Sequence, residues 1–352
     1  MLSFLLSQID CPLSSVSPVK KLFPAFIGAG ICLFFIRSGF FSLLFLVPLG
    51  VVAYMYPFKI TWAALLFAVL GNSIFSVGTA AINKFPLSES LWDILYFSVT
   101  AAIFILIIAP PPFFSSRIPG VLRFLAGSCL GAIFFTGIFV HAASSQGFSS
   151  YVNSMINSLI SMYSSSGADV VQNALLESLT AETVMGIIMA FMFRGGSLVS
   201  CIFLYFCCRQ ISLFIVRLWS RRRGVYFAGS RPLALFHVYP VVIWILSVSL
   251  LLVIVTRTLK LEIPEIVLWN ILVLCAILYF AQGMGILQYL ISRPRVSPFL
   301  RFALHVLFVI LLFTPVINAV FLGLIVLLGI AENWIPLRVP KTYGPPSTPE
   351  AQ

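Results

Sequence analysis

The chain has 352 residues, of which 61% are hydrophobic and 9% charged, with a formal net charge of +11. Soluble domains carry roughly 25% charged residues, so the composition excludes an ordinary water-soluble fold and points to one embedded in lipid. The basic surplus reads as the Lys and Arg excess of cytoplasmic loops, and no basic stripe interleaved with aromatics supports nucleic-acid binding.

Residues 1–21 read as an N-terminal cytoplasmic segment. They carry Asp10 and no basic residue before Lys20 and Lys21, which argues against a cleavable signal. A helix needs about 20 apolar residues to cross the hydrocarbon core. Apolar runs at 22–36, 39–56, 61–80, 92–111 and 120–143 are the expected first five spans, within 22–143. The segment 144–182 follows. Val152, Met155, Ile156, Leu159, Ile160 and Tyr163 recur there at helical spacing, and Val171, Ala174, Leu175 and Leu179 resume it. This predicts an extracytoplasmic pair of amphipathic helices, either lying on the surface or capping a cavity.

Within 183–338, runs at 183–207, 236–256, 265–288, 299–313 and 315–333 are the last five expected spans. An Arg-rich cytoplasmic loop is expected over 208–235, and a polar, Pro-rich disordered tail over 339–352.

Charge orients the array. The segment 144–182 holds Asp169, Glu177 and Glu182 and no Lys or Arg, whereas 208–235 holds six Arg and no acid. The first belongs outside and the second inside. Ten spans with both termini cytoplasmic place sixteen of the 21 Lys and Arg on the inner side. Nine remain possible, because 22–56 is broken only at Arg37-Ser38-Gly39 and 299–333 only at Thr314-Pro315. The expected fold is an all-α polytopic transmembrane bundle in the cell inner (cytoplasmic) membrane, in contact with membrane lipid.

The chain has no H-E-x-x-H, G-x-S-x-G, Walker or dinucleotide-binding signature. Neither an enzyme nor a cofactor or metal site is expected. Asp93, Glu265 and Glu332 read as residues near span ends, leaving the interior poor in carboxylates. Ion-coupled carriers place chains of Asp, Glu or His there, so any transport would draw its energy from a partner.

Arg194 stands out, beside Gly195 and Gly196 inside an apolar stretch. An Arg at the bilayer centre costs roughly 2.5–3.5 kcal/mol. It reads either as an anion-recognising group at a broken helix or as an interfacial residue ahead of the true span. Ala25 with Ala29 and Gly127 with Gly131 have the small-residue spacing of helix contacts. Asn72, Asn270, Gln282 and Gln288 are expected away from lipid, and Trp244 is expected to need a partner inside the bundle. Arg217, Arg221, Arg222 and Arg223 are set to meet anionic lipid or an acidic partner, besides fixing topology.

The C-terminal third carries Gln282-Gly283-Met-Gly285, a basic turn at Arg293 and Arg295, then Gly329-Ile-Ala-Glu332-Asn-Trp334-Ile-Pro-Leu-Arg338. This pattern resembles the YybS-like family of bacterial multi-spanning proteins over roughly 236–338. Gly283, Gly329, Glu332, Trp334 and Arg338 match its motif, with Glu332 where Asp is more usual. The resemblance implies an architecture similar to the substrate-binding (S) components of energy-coupling-factor transporters. Those proteins capture a small molecule outside and work with a coupling transmembrane subunit and ATPases. Some dock that subunit through an A-x-x-x-A pattern, which Ala25 and Ala29 match. Two functions are therefore expected: a solute-binding transporter component, or a non-transporting structural or assembly subunit that joins cell-envelope proteins.

Overall fold

The computed structural model describes residues 18–38, 42–83, 87–111, 119–144, 150, 152–158, 161, 181–222, 233, 236–292, 297–314, 317–335 and 337–338. The described elements are all helical, without a strand among them. Six helices are long and apolar enough to cross a membrane: Phe58–Ile82, Ser90–Ile108, Gly120–Ala143, Glu182–Arg221, Val241–Thr258 and Glu262–Ile291. Four shorter apolar helices are the members of the two closely spaced pairs at 22–56 and 298–331. Large apolar side chains such as Ile74, Ile133 and Phe203 lie on the outside, as lipid-facing surfaces require.

The chain divides into two compact units, Met1–Phe227 and Ala228–Gln352. The first contains α1 (Pro18–Arg37), α2 (Leu46–Met55), α3 (Phe58–Asn83), α4 (Leu87–Ile108), α5 (Gly120–Ala143), α6 (Ala181–Phe191) and α7 (Ser197–Arg222). Its centre is α2, which packs against α1, α3, α4 and α7. Leu46, Val47, Pro48, Leu49, Gly50 and Val52 are buried. Ten helical residues rise about 15 Å, half the thickness of a bilayer core. Pro57 ends this helix. The residue before a proline is pushed to extended backbone, and Tyr56 has φ −129° and ψ 156°.

Small residues let these helices approach. A Cβ on Gly50 would strike the Ser212 hydroxyl of α7, and one on Gly28 of α1 would strike Val52. Ser212 Oγ lies 3.0 Å from Val47 O, and Cys208 Sγ 3.4 Å from Leu43 O. That register makes α2 and α7 parallel. On α5, Gly127 faces Ile107 of α4 and Gly131 faces Tyr205 of α7, so the pair wedges α5 between two helices. Ala25 and Ala29 are buried on α1, which packs on α2 and α3. Their face is covered by neighbouring helices of this chain.

The expected loop over 208–235 is corrected in its first half, because α7 continues to Arg222. The stretch 197–222 has no Pro or Gly, and Ser212, Leu213, Val216 and Ser220 are buried at helical spacing. Arg209, Arg217 and Arg221 are thus helical. The Arg222 side chain and Arg223 lie outside the described residues, as do 1–17, 162–180 and 339–352, with most of the expected second amphipathic helix. Residues 152–158 are helical, with Val152 buried.

The second unit contains α8 (Val241–Thr258), α9 (Glu262–Ile291), α10 (Pro298–Phe313) and α11 (Ile317–Ala331). Ser297 caps α10, accepting a bond from Leu300 N at 3.2 Å, and Pro298 occupies its first turn. Along the α9–α11 seam, a Cβ on Gly283 would overlap Ile325 O, and one on Gly329 would overlap Tyr279 O. The two backbones touch directly. Trp244 corrects its expectation: it is 71% exposed on α8, not inside a bundle. Gln288 is exposed as well.

Candidate functional site

The first unit gathers a polar cluster from three helices. Arg37 is the last residue of α1, where a cation suits the helix dipole. Its Nη2 donates to Asn72 Oδ1 at 2.7 Å and Ser76 Oγ at 2.6 Å on α3, and to Asp93 Oδ2 at 3.0 Å on α4. Ser76 Oγ in turn donates to Asp93 Oδ2 at 2.5 Å. The guanidinium stands 4.6 Å from the Phe75 ring centroid, a cation–π distance. Asn72 and Ser76 share one face because they are four residues apart on a helix.

The partners of Arg37 lie inside the ends of their helices. Asn72 and Ser76 fall within the candidate span Phe58–Ile82, and Asp93 within Ser90–Ile108. α3 continues seven residues beyond Ser76, to Asn83, a rise of roughly 10 Å. An ionisable residue within a candidate span, here Asp93, marks a functional site by default, since charge there is expensive.

Each member leaves bonding capacity unused. Asn72 is fully buried. Its Oδ1 must face Arg37, because a flipped amide would set two donors against each other. Its Nδ2 then has no hydrogen-bond partner, at a cost of about 1–3 kcal/mol. Among the described residues Arg37 bonds through Nη2 alone, leaving Nε and Nη1, and Asp93 bonds through Oδ2 alone, leaving Oδ1. The Arg37 and Asp93 side chains are 32% and 39% exposed. Together they form a half-open polar site with spare donors and one spare acceptor.

Arg194 occupies a different feature. A five-residue π turn, Met192–Gly196, separates α6 from α7. Gly195 adopts φ 117°, which only glycine takes without strain. Ser197 Oγ closes the turn onto Met192 O at 3.0 Å. The expected break is present, with Gly195 and Gly196 buried and Arg194 exposed. Arg194 is not among the partners of Arg37, Asn72, Ser76 or Asp93. Because α7 has 26 residues, it can cross a membrane without the segment carrying Arg194.

In the second unit the C-terminal motif residues converge. Gln282 is fully buried. Its Oε1 accepts from Val238 N at 2.8 Å, and its Nε2 donates to Gly329 O at 3.1 Å and Glu332 Oε2 at 2.9 Å. Arg338 grips both Glu332 oxygens, with Nε to Oε1 at 2.6 Å, and also donates to Phe236 O at 2.8 Å. Glu332 follows the last residue of α11. Burial pushes its carboxyl up, but the Arg338 guanidinium, helped by Gln282, outweighs this and holds it below the usual carboxylate range. This is a latch that ties α9 to the chain after α11. Trp334 stays outside it, 69% exposed.

Sequence reasoning passed over Arg37 and Asp93, reading one as a loop cation and the other as a span-end acid. The available signal was their opposite sign at neighbouring helix ends on one expected side.

The long apolar helices define a polytopic helical membrane protein. No family model, curated protein or solved structure matches the chain.

Proposed function

We propose that this chain is a solute-binding component of the cell inner membrane, taking up a small polar solute from the outer side and relying on partner subunits for energy. The observation that carries this reading is the Arg37–Asn72–Ser76–Asp93 cluster, a charged and incompletely bonded site with three members in candidate spans. It replaces Arg194 as the first-choice ligand group. The ten-span arrangement with both termini inside supports the direction of access. In it α1 runs outward, so its last residue, Arg37, lies toward the outer face. The partner would be a coupling transmembrane subunit with ATPases.

The resemblance to the YybS-like family bears on fold in this reading. Gly283, Gly329, Glu332 and Arg338 serve internal packing and leave ligand choice to the first unit. A scaffold role joining envelope proteins is the second reading. It is favoured by the run of Arg209, Arg217 and Arg221 on α7, a helix without a single carboxylate, which suits anionic lipid or an acidic partner.

The test is thermal unfolding of the full chain in lipid nanodiscs against a library of small polar solutes, for wild type and Arg37→Gln. Solute binding predicts at least one class that stabilises the wild type and not the variant. Stabilisation by no class, or equal stabilisation of both proteins, refutes it.

A further inference from the structure

We propose that the Arg37–Asp93 cluster receives a small zwitterion, a solute carrying one carboxylate and one ammonium group, as an α-amino acid does. The inference rests on the solute-binding reading of the same site and names the chemistry of the solute.

Charge balance is the first argument. The cluster holds one guanidinium, one carboxylate, a hydroxyl and an amide, so its own charges cancel. Asp93 lies within a candidate span, and a solute of net charge would leave one charge uncompensated beside it. A zwitterion brings equal and opposite charges and leaves the balance intact.

Valence is the second. The three contacts of Nη2 hold the Arg37 side chain in place. Its Nε and Nη1 each remain able to donate a single bond to a carboxylate. Asp93 Oδ2 is occupied by Arg37 and Ser76, and Oδ1 remains to accept from an ammonium. The orphaned Nδ2 of Asn72 is a further donor in the same cluster, on the amide whose oxygen already meets Arg37.

Spacing is the third. Because Arg37 and Asp93 are in contact at 3.0 Å, their unused atoms are no further apart than the width of the two groups. That suits a carboxylate and an ammonium borne on one carbon better than two charges at the ends of a long chain.

The experiment uses the full chain in nanodiscs of neutral lipid and follows its unfolding temperature. L-α-amino acids are screened at equal millimolar concentration. Each one that responds is compared with its two half-molecules, the acid lacking the amine and the amine lacking the carboxylate. We expect the amino acid to bind at least tenfold more tightly than either half. In Asp93→Asn, which keeps the shape and removes the negative charge, preference should move from the amino acid to the acid alone. If that variant does not assemble, Ser76→Ala keeps both charges, and it should weaken amino-acid binding several-fold.

A half-molecule that binds as well as the parent overturns the zwitterion assignment and leaves solute binding standing. So does an Arg37-dependent response to some other solute class with none to amino acids. An amino-acid response unchanged in both Asp93→Asn and Ser76→Ala also overturns it. Failure of every solute removes both readings together.

Discussion

Arg37 and Asp93 meet at 3.0 Å across 56 positions of sequence, joining the last residue of α1 to the second turn of α4. The contact holds three helices at one level, because Asn72 and Ser76 of α3 bond to the same guanidinium. Half-exposed ion pairs are worth about 1 kcal/mol or less, so pairing alone gives weak grounds for keeping two charges here.

Asp93→Ala should destabilise the protein by about 1 kcal/mol, because Arg37 and Ser76 lose their shared carboxylate partner. Adding Arg37→Met should cost less than the separate effects combined, with a coupling of about 1 kcal/mol. Equilibrium unfolding in mixed detergent micelles measures all four corners of this cycle, and strict additivity would mean that the pair is not coupled.

Glu332 predicts a pH dependence. Its folded carboxyl titrates below the unfolded value of about 4.3. The latch therefore contributes fully above that pH, and its contribution is lost as pH falls through the lower folded value. Unfolding temperature should drop on acidification below about pH 4.3 in the wild type, and Glu332→Gln should remove that part of the drop. Arg338→Ala, which leaves a buried carboxylate unpaired, should cost about 3 kcal/mol at pH 7.

Glycines on the α9–α11 seam should not tolerate a methyl group. Gly283→Ala and Gly329→Ala each place a Cβ against a partner backbone carbonyl, and overpacking of this kind costs about 1–3 kcal/mol. Gly323 lies on the same helix as Gly329 with nothing within 4 Å of its Cβ position. Gly323→Ala should be neutral or stabilising by up to about 1 kcal/mol. Chemical unfolding of the three variants side by side decides this.

The turn between α6 and α7 supplies a further contrast. Gly195→Ala forces a side chain onto φ 117° and should destabilise by about 1 kcal/mol or more. Gly186→Ala, in open space on α6, should not. Thermal unfolding of both variants checks the difference.

Much of the helix layout was legible in the sequence. Apolar runs marked every described helix of membrane-spanning length, and the brief breaks at Arg37-Ser38-Gly39 and Thr314-Pro315 picked out the four short ones. Polarity alone placed Asn72 and Gln282 inside. The site was not legible, because hydropathy assigns Arg37 and Asp93 to helix ends separately and says nothing of which ends meet. The extension of α7 to Arg222 was missed for a related reason. Loss of apolar character was read as the end of the helix, whereas the backbone continues until its side-chain support or a breaker ends it. Trp244 was misplaced because α8 is packed by a neighbour on one side, so its other faces stay open.

The most direct measurement is labelling of Ser38→Cys, beside Arg37 but outside the cluster, in a background with the native cysteines replaced, by a membrane-impermeant maleimide added to intact cells. The account predicts labelling from outside, and protection by whichever solute stabilises the purified wild-type protein. Labelling only after the inner face is exposed, or labelling that no such solute slows, would contradict an outward-facing binding site at Arg37 and Asp93.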